Sequence, residues 1–271
     1  MVINMLRTEM RNENSMHIDK METLDMLKVM NQENLNSVYA VEKALPEIAK
    51  AVDAIAQAFE KGGKLVYIGA GTSGRLGIID ATECPPTFGV SPALISGIIA
   101  GGKERVFSAS ENEEDKYESG VNDVKDVLNE NDVLVGTSAS GGAKYVVGAL
   151  EWAKAHGCVT ISVTSNADTA ITKVADIAIV CDTGAEVITG STRLKAGNSQ
   201  KFVMNMLSTC SMIKTGRVYE NLMINLKPSN EKLRLRVIRI TSQILGVDED
   251  IATMLLEKND WDIRKTVESV K

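Results

Sequence analysis

The feature that most restricts how this chain can fold is a unit that occurs twice: a short, nearly all-apolar run, a turn built of small and hydroxyl-bearing residues, and a longer segment with helical spacing. The first copy is LVYI at 65–68, the turn Gly69-Ala70-Gly71-Thr72-Ser73-Gly74, and RLGIIDAT. The second is DVLVG, the turn Thr137-Ser138-Ala139-Ser140-Gly141, and AKYVVGALEWAKAHG. Strands with no polar face belong to parallel sheets covered by helices on both sides, and a repeated strand, turn and helix is how such sheets are wound. ALISGIIAGG, CVTISVT and IAIVC supply three further short, apolar strands. Residues 50–226 therefore read as one doubly wound, three-layer α/β/α domain with a parallel sheet.

On either side of this domain the chain reads as helical. Ile48, Val52, Ile55 and Phe59 recur at helical spacing up to the Gly62-Gly63 stop, so residues 20–61 are expected to be helical and 1–49 form an N-terminal helical segment. After a linker-like Lys-Pro-Ser-Asn at 227, short amphipathic segments predict a small helical, UBA-like appendage over 227–271. Its Arg234, Arg236 and Arg239 read as a solvated helix face.

Composition narrows the function. A net charge of −6 without a dominant basic face argues against nucleic acid or an anionic membrane as partner. The N-terminus lacks an apolar signal core, and no apolar run approaches the roughly 20 residues a bilayer requires, so a cytoplasmic protein is expected. Cys84, Cys158, Cys181 and Cys210 are scattered without a Cys-x-x-Cys pair, which predicts reduced packing thiols and no zinc site. With only His17 and His156 present, a histidine-based metal centre or a Ser-His-Asp triad has few builders, and His156 reads as a helix C-terminal partner of the dipole.

The first turn is a literal G-x-G-x-x-G, the fingerprint of dinucleotide binding, but the acid expected about 20 residues further on is missing. No Asp or Glu lies between Glu83 and Glu104. The alternative is an anion site, in which Thr72 and Ser73 join the free amides of a helix N-terminus around Gly71 and Gly74. The second turn offers the same chemistry through Ser138, Ser140 and Gly141. Small residues make tight turns for purely structural reasons, which accounts for one such turn more easily than for two. A phosphorylated small molecule, most simply a sugar phosphate, is the expected ligand. Of the acids, Glu83 falls near this site, where Pro85-Pro86 is expected to break the first helix. Glu111, Glu113, Glu114 and Asp115 read as the acidic first turn of an exposed helix.

Three stretches carry a resemblance: YIGAGTSGRLGIIDATECPPTFG, ENEED, and EVITGSTRLKAGNSQKFVMNMLSTCSMIKTGRVYENLM. They are similar to the N-acetylmuramic acid 6-phosphate etherases, and the likeness extends from TEMRNENSMHID to the helical tail. It implies a sugar isomerase (SIS) fold, a homodimer, no metal or organic cofactor, and a role in recycling bacterial cell-wall sugar. The implied reaction is a lyase-type elimination of D-lactate from C3 of N-acetylmuramic acid 6-phosphate followed by addition of water, giving N-acetylglucosamine 6-phosphate. By position, Glu83 resembles the family's acid that assists lactate departure and Glu114 its base at C2, with the two roles exchangeable. Glu186 and Lys195 are expected at the substrate rim. The chain departs from the family in carrying Gly142-Ala143 where an Arg-Thr pair is usual, and in ending early at Lys271. A non-catalytic sugar-phosphate sensor and an aldose/ketose isomerase are the alternatives. Retention of both glutamates favours the etherase.

Overall fold

A computed structural model describes residues 6–109, 112–226, 228 and 230–270. Its centre is a parallel sheet of β1 (Leu65–Gly69), β2 (Ile95–Ile99), β3 (Val133–Thr137), β4 (Val159–Thr164) and β5 (Ile177–Val180), in the order β2-β1-β3-β4-β5. In register, Leu65 faces Ile95 on one side and Val133 on the other. Successive side chains of a strand point to opposite faces, and both faces are filled. Leu65, Tyr67, Val133 and Val135 pack into one apolar cluster with Ile48 and Val52 of α1 (Thr23–Glu60) and Val203, Met204 and Leu207 of α6 (Lys195–Lys214). Val66, Ile68 and Leu134 turn the other way, onto Val124 of α3 (Tyr117–Lys125), Val146, Ala149 and Leu150 of α4 (Lys144–Ala155) and Ile171 of α5 (Ala170–Val174). The fold is thus the three-layer α/β arrangement expected from the sequence.

One local expectation gives way to tertiary packing. The helix α2 (Gly71–Phe88) runs through Pro85 and Pro86 and ends three residues later, where Gly89 takes φ 64° and its N–H donates to the Pro85 carbonyl. The two prolines remove only the N–H groups that would have met the carbonyls of Ala81 and Thr82, at the closing turn of the helix. Phe88 beyond them is buried in the core, which holds the last turn in place. The helix expected over residues 20–61 is α1, in which Ala40, Val41 and Ala44 share one core with Ile48, Val52 and Ile55.

The chain closes with a hairpin of β6 (Val218–Tyr219) and β7 (Leu222–Met223) and the helices α7 (Glu231–Leu245), α8 (Glu249–Lys258) and α9 (Ile263–Val270). These carry their own apolar cluster, including Ile224, Leu226, Val237, Ile240, Leu256 and Ile263. Arg236 and Arg239 are exposed, and the Arg234 guanidinium lies 4.1 Å over the Trp261 ring. All four cysteines are free thiols, and burial pushes Cys84 up to about 12. His156 caps the C-terminus of α4 with its Nδ1 2.7 Å from the Trp152 carbonyl oxygen. Among the described residues no helix is long and apolar enough to cross a membrane.

Candidate active site

From β1 the chain steps to β2 on one side of the sheet, and from there it crosses to β3 on the other. The strand order therefore reverses between β1 and β3, and doubly wound folds bind ligands in the crevice at such a point. A cavity of ≈ 540 Å³ opens there, lined by both turns.

On the β1 side, Ala70 leaves the strand with extended geometry and no side chain caps α2, so the first amides of the helix face the cavity unclaimed. Gly71 has φ +54°, a left-handed conformation suited to glycine, and opens the turn toward the cavity. A Cβ on Gly74 would stand 2.6 Å from the Gly69 carbonyl oxygen and 2.7 Å from Ile99 Cγ1, so glycine is what lets the helix start so close to its strand. The Ser73 hydroxyl donates to Gln200 Oε1 at 3.0 Å, and Gln200 Nε2 is buried without a partner. On the β3 side, Ser138 Oγ accepts from the Gly141 N–H at 3.1 Å and Ser140 Oγ from the Gly142 N–H at 3.3 Å. Both hydroxyl protons stay available, apart from a long contact of 3.5 Å between the two oxygens. Thr137 is 1% exposed, lines the cavity, and its hydroxyl has no partner. Buried hydroxyls are normally paired, and this one lies at the cavity wall without a protein partner among the described residues.

The remaining wall comes from the segment after β2. Glu114 lines it without an ion-pair partner among the described residues, while Glu113 is bound by Lys116 at 2.8 Å. Asp115, Asn112 and Arg105 stand beside them, and Glu9, Gly190 and Thr192 close the far side. Thr8 brings Glu9 there, its hydroxyl accepting from Asn166 Nδ2 at 3.2 Å. Glu111 lies outside the described residues. Among those described, no cluster of three or more His, Cys, Asp or Glu is placed to hold a metal ion.

The cavity thus brings together Gly71, Thr72, Ser73, Glu114, Ser138 and Ser140. Gly74 and Gly141 sit behind it as backbone supports, and a Cβ on Gly141 would meet Thr169 Oγ1 at 2.3 Å. Glu83 lies elsewhere on this chain, exposed on α2, roughly 17 Å along the helix from Thr72 at 1.5 Å per residue. Glu186 and Lys195 are off the cavity wall. Glu186 is fully buried and accepts from the N–H groups of Lys195 at 3.1 Å and Ala196 at 2.9 Å, capping α6. Burial raises its pKa against the opposing pull of those amides. Lys195 is 1% exposed and its ammonium pairs with buried Glu33. Thr137, Arg105, Glu9 and Thr192 were not singled out from the sequence. Thr137 opened a turn already noted, whereas Arg105 in KERV is indistinguishable locally from a solvated charge.

Comparison with known proteins gives the same architecture a lineage. The chain matches the Glucokinase regulatory protein N-terminal SIS domain over residues 47–154 and the SIS domain over 108–214. A phosphoheptose isomerase from Francisella tularensis superposes with a TM-score of 0.53 at 21% identity, covering 70% of this chain and 98% of that one, a likeness of fold. The N-acetylmuramic acid 6-phosphate etherase of Clostridium beijerinckii is 51% identical over 263 residues, 97% of this chain and 86% of the relative. That of Symbiobacterium thermophilum is 49% identical over 267 residues, 98% and 89% of the two chains. At that identity, over nearly its whole length, the chain belongs to the N-acetylmuramic acid 6-phosphate etherase family.

Proposed function

We infer that the chain is a carbon–oxygen lyase that cleaves the C3 D-lactyl ether of N-acetylmuramic acid 6-phosphate, giving N-acetylglucosamine 6-phosphate and D-lactate. One observation carries the reading at the level of the site: a carboxylate without an ion-pair partner, Glu114, shares a cavity with two donor-rich turns. The turns suit a phosphate, which gains from amides at a helix N-terminus and from hydroxyl donors. With the sugar ring open, the C1 aldehyde acidifies the C2 proton. Glu114 removes that proton, the C3–O bond breaks, and the departing lactate oxygen takes a proton from an acid. Water then adds at C3 of the resulting enal, and C2 is reprotonated. No step changes the oxidation state of the system as a whole.

Glu83 is assigned as that acid, and its position calls for a second copy of the chain. It is exposed on α2, one turn from Ile79, which is 58% exposed. On α1, Leu24, Leu27, Leu35, Val38, Tyr39 and Leu45 are also exposed, and at 100° per residue they fall within an arc of about 120°. Such a stripe of large apolar side chains marks a contact surface. On the methionine-rich helix α6, by contrast, Val203, Met204, Leu207 and Met212 are buried in the core. A homodimer across α1 and α2 delivers Glu83 of one copy to the cavity of the other. The helices of 227–271, with their separate apolar cluster, are proposed as an appendage to the SIS domain.

Lactate release from N-acetylmuramic acid 6-phosphate by the purified protein tests the activity. A sensor would bind without releasing lactate, and an isomerase would keep the lactyl group on its product.

A further inference from the structure

We propose that Arg105 is the specificity residue that recognises the carboxylate of the D-lactyl group, a proposal that rests on the etherase reading. The substrate carries two anionic groups, the phosphate at C6 and the lactyl carboxylate attached through C3. The first is matched by the α2 N-terminus and the hydroxyl turns. The second must lie against the wall that holds Glu114, because C2, where the base acts, adjoins C3. Glu114 and Asp115 line that wall, and a carboxylate entering a partly enclosed space beside other carboxylates is repelled unless a cation stands there.

Among the described residues lining the cavity the cations are Arg75 and Arg105. Arg75 is committed: its Nε donates to the Val106 carbonyl at 2.8 Å, and its Nη2 to those of Arg105 at 2.7 Å and Ser108 at 2.8 Å. These bonds pin the turn that carries Arg105 to the start of α2. Arg105 itself has, among the described residues, one hydrogen-bond partner, its Nη1 donating to Ser108 Oγ at 3.3 Å, and its Nε is buried without a partner among them. A buried guanidinium N–H without an acceptor is costly, and a planar fork offers a carboxylate two parallel donors. The pinned turn presents this fork to the leaving group, on the same cavity wall as the base.

The test compares two ligands that differ in the lactyl group, N-acetylmuramic acid 6-phosphate and N-acetylglucosamine 6-phosphate, by calorimetry. Both are titrated into protein carrying Glu114→Gln, so that no turnover intervenes. Adding Arg105→Gln is expected to weaken the muramic sugar about 10- to 100-fold, the worth of a charge-assisted hydrogen bond, and to change the glucosamine sugar by less than about twofold. Equal losses for both ligands, or none for either, would overturn the proposal. Should Arg105→Gln fail to fold, Arg105→Lys, which keeps the charge and loses the fork, is expected to show a smaller loss confined to the muramic sugar. A loss shared by both sugars there would also overturn it. Lactate release by the unaltered protein is scored separately: lactate without this selectivity refutes Arg105 alone, and selectivity without lactate refutes the etherase reading alone.

Discussion

The ammonium of Lys195, at the first turn of α6, is paired with the carboxylate of Glu33 on α1, 162 residues earlier, and both are buried. Asn12 and Asn14 donate to the same carboxylate at 2.7 Å each, so the N-terminal segment, α1 and α6 meet at one charge pair. Removing one member leaves the other buried and uncompensated, at a cost of about 3–5 kcal/mol, whereas removing both is far milder. Lys195→Met is expected to lower the melting temperature sharply, and Glu33→Gln combined with Lys195→Met to recover most of it. Calorimetric melts of the single and double variants measure this, and additive losses would show the pair to be uncoupled.

The same pair sets a pH dependence. Burial raises the pKa of Glu33, but the hydrogen bonds from Lys195, Asn14 and Asn12 outweigh it and leave the value below the ordinary 4.5. A folded pKa below the unfolded one means stability that is full above the unfolded value and lost as the pH falls through the folded one. The difference in stability between the unaltered protein and Glu33→Gln is therefore expected to be constant near neutrality and to shrink below about pH 4.5. A difference that grows on acidification would reverse the assignment.

Thr137 separates binding from stability. Its buried hydroxyl is unpaired in the free protein, so Thr137→Val removes an unsatisfied group and is expected to leave the melting temperature unchanged or higher. The affinity for the sugar phosphate should fall about 10-fold, the worth of a charge-assisted bond. Unchanged affinity would show that the hydroxyl does not face the ligand.

Gly74→Ala acts through the backbone. The added methyl meets the Gly69 carbonyl oxygen at 2.6 Å, so the start of α2 must move away from β1 and take its free amides with it. A loss of about 1–3 kcal/mol of stability, together with weakened phosphosugar binding, is expected from melts and calorimetry. Retained affinity would place the anion elsewhere.

Mixed dimers test the delivery of Glu83. Glu83→Gln and Glu114→Gln are each expected to lose about 10²- to 10⁴-fold in lactate release. If each site takes Glu114 from one copy and Glu83 from the other, refolding the two variants together regenerates one intact site per mixed dimer. With random pairing that restores about one quarter of the unaltered activity. No recovery would place both glutamates in the same copy.

What the sequence made legible was local. A strand buried on both faces needs only its own apolar run, and a turn that must approach an anion shows its glycines and hydroxyls within six residues, Gly69 to Gly74. Glu114 read locally as one of several acids in an exposed first turn, and only the resemblance to the etherases singled it out. Pairings over long separations leave no such trace: nothing near Lys195 or Glu186 distinguishes a rim residue from a buried ion pair or a helix cap. The proline pair in α2 misled for a related reason, because the burial of Phe88 that sustains the last turn is a tertiary fact. Arg105 was passed over because its meaning lies in the commitment of Arg75, thirty residues earlier in the chain.

The most direct test of the central claim is turnover of N-acetylmuramic acid 6-phosphate in heavy-oxygen water, with both products analysed by mass spectrometry. Elimination across C2 and C3 followed by hydration predicts unlabelled D-lactate and one heavy oxygen at C3 of N-acetylglucosamine 6-phosphate. Label in the lactate, or the absence of lactate altogether, would contradict it.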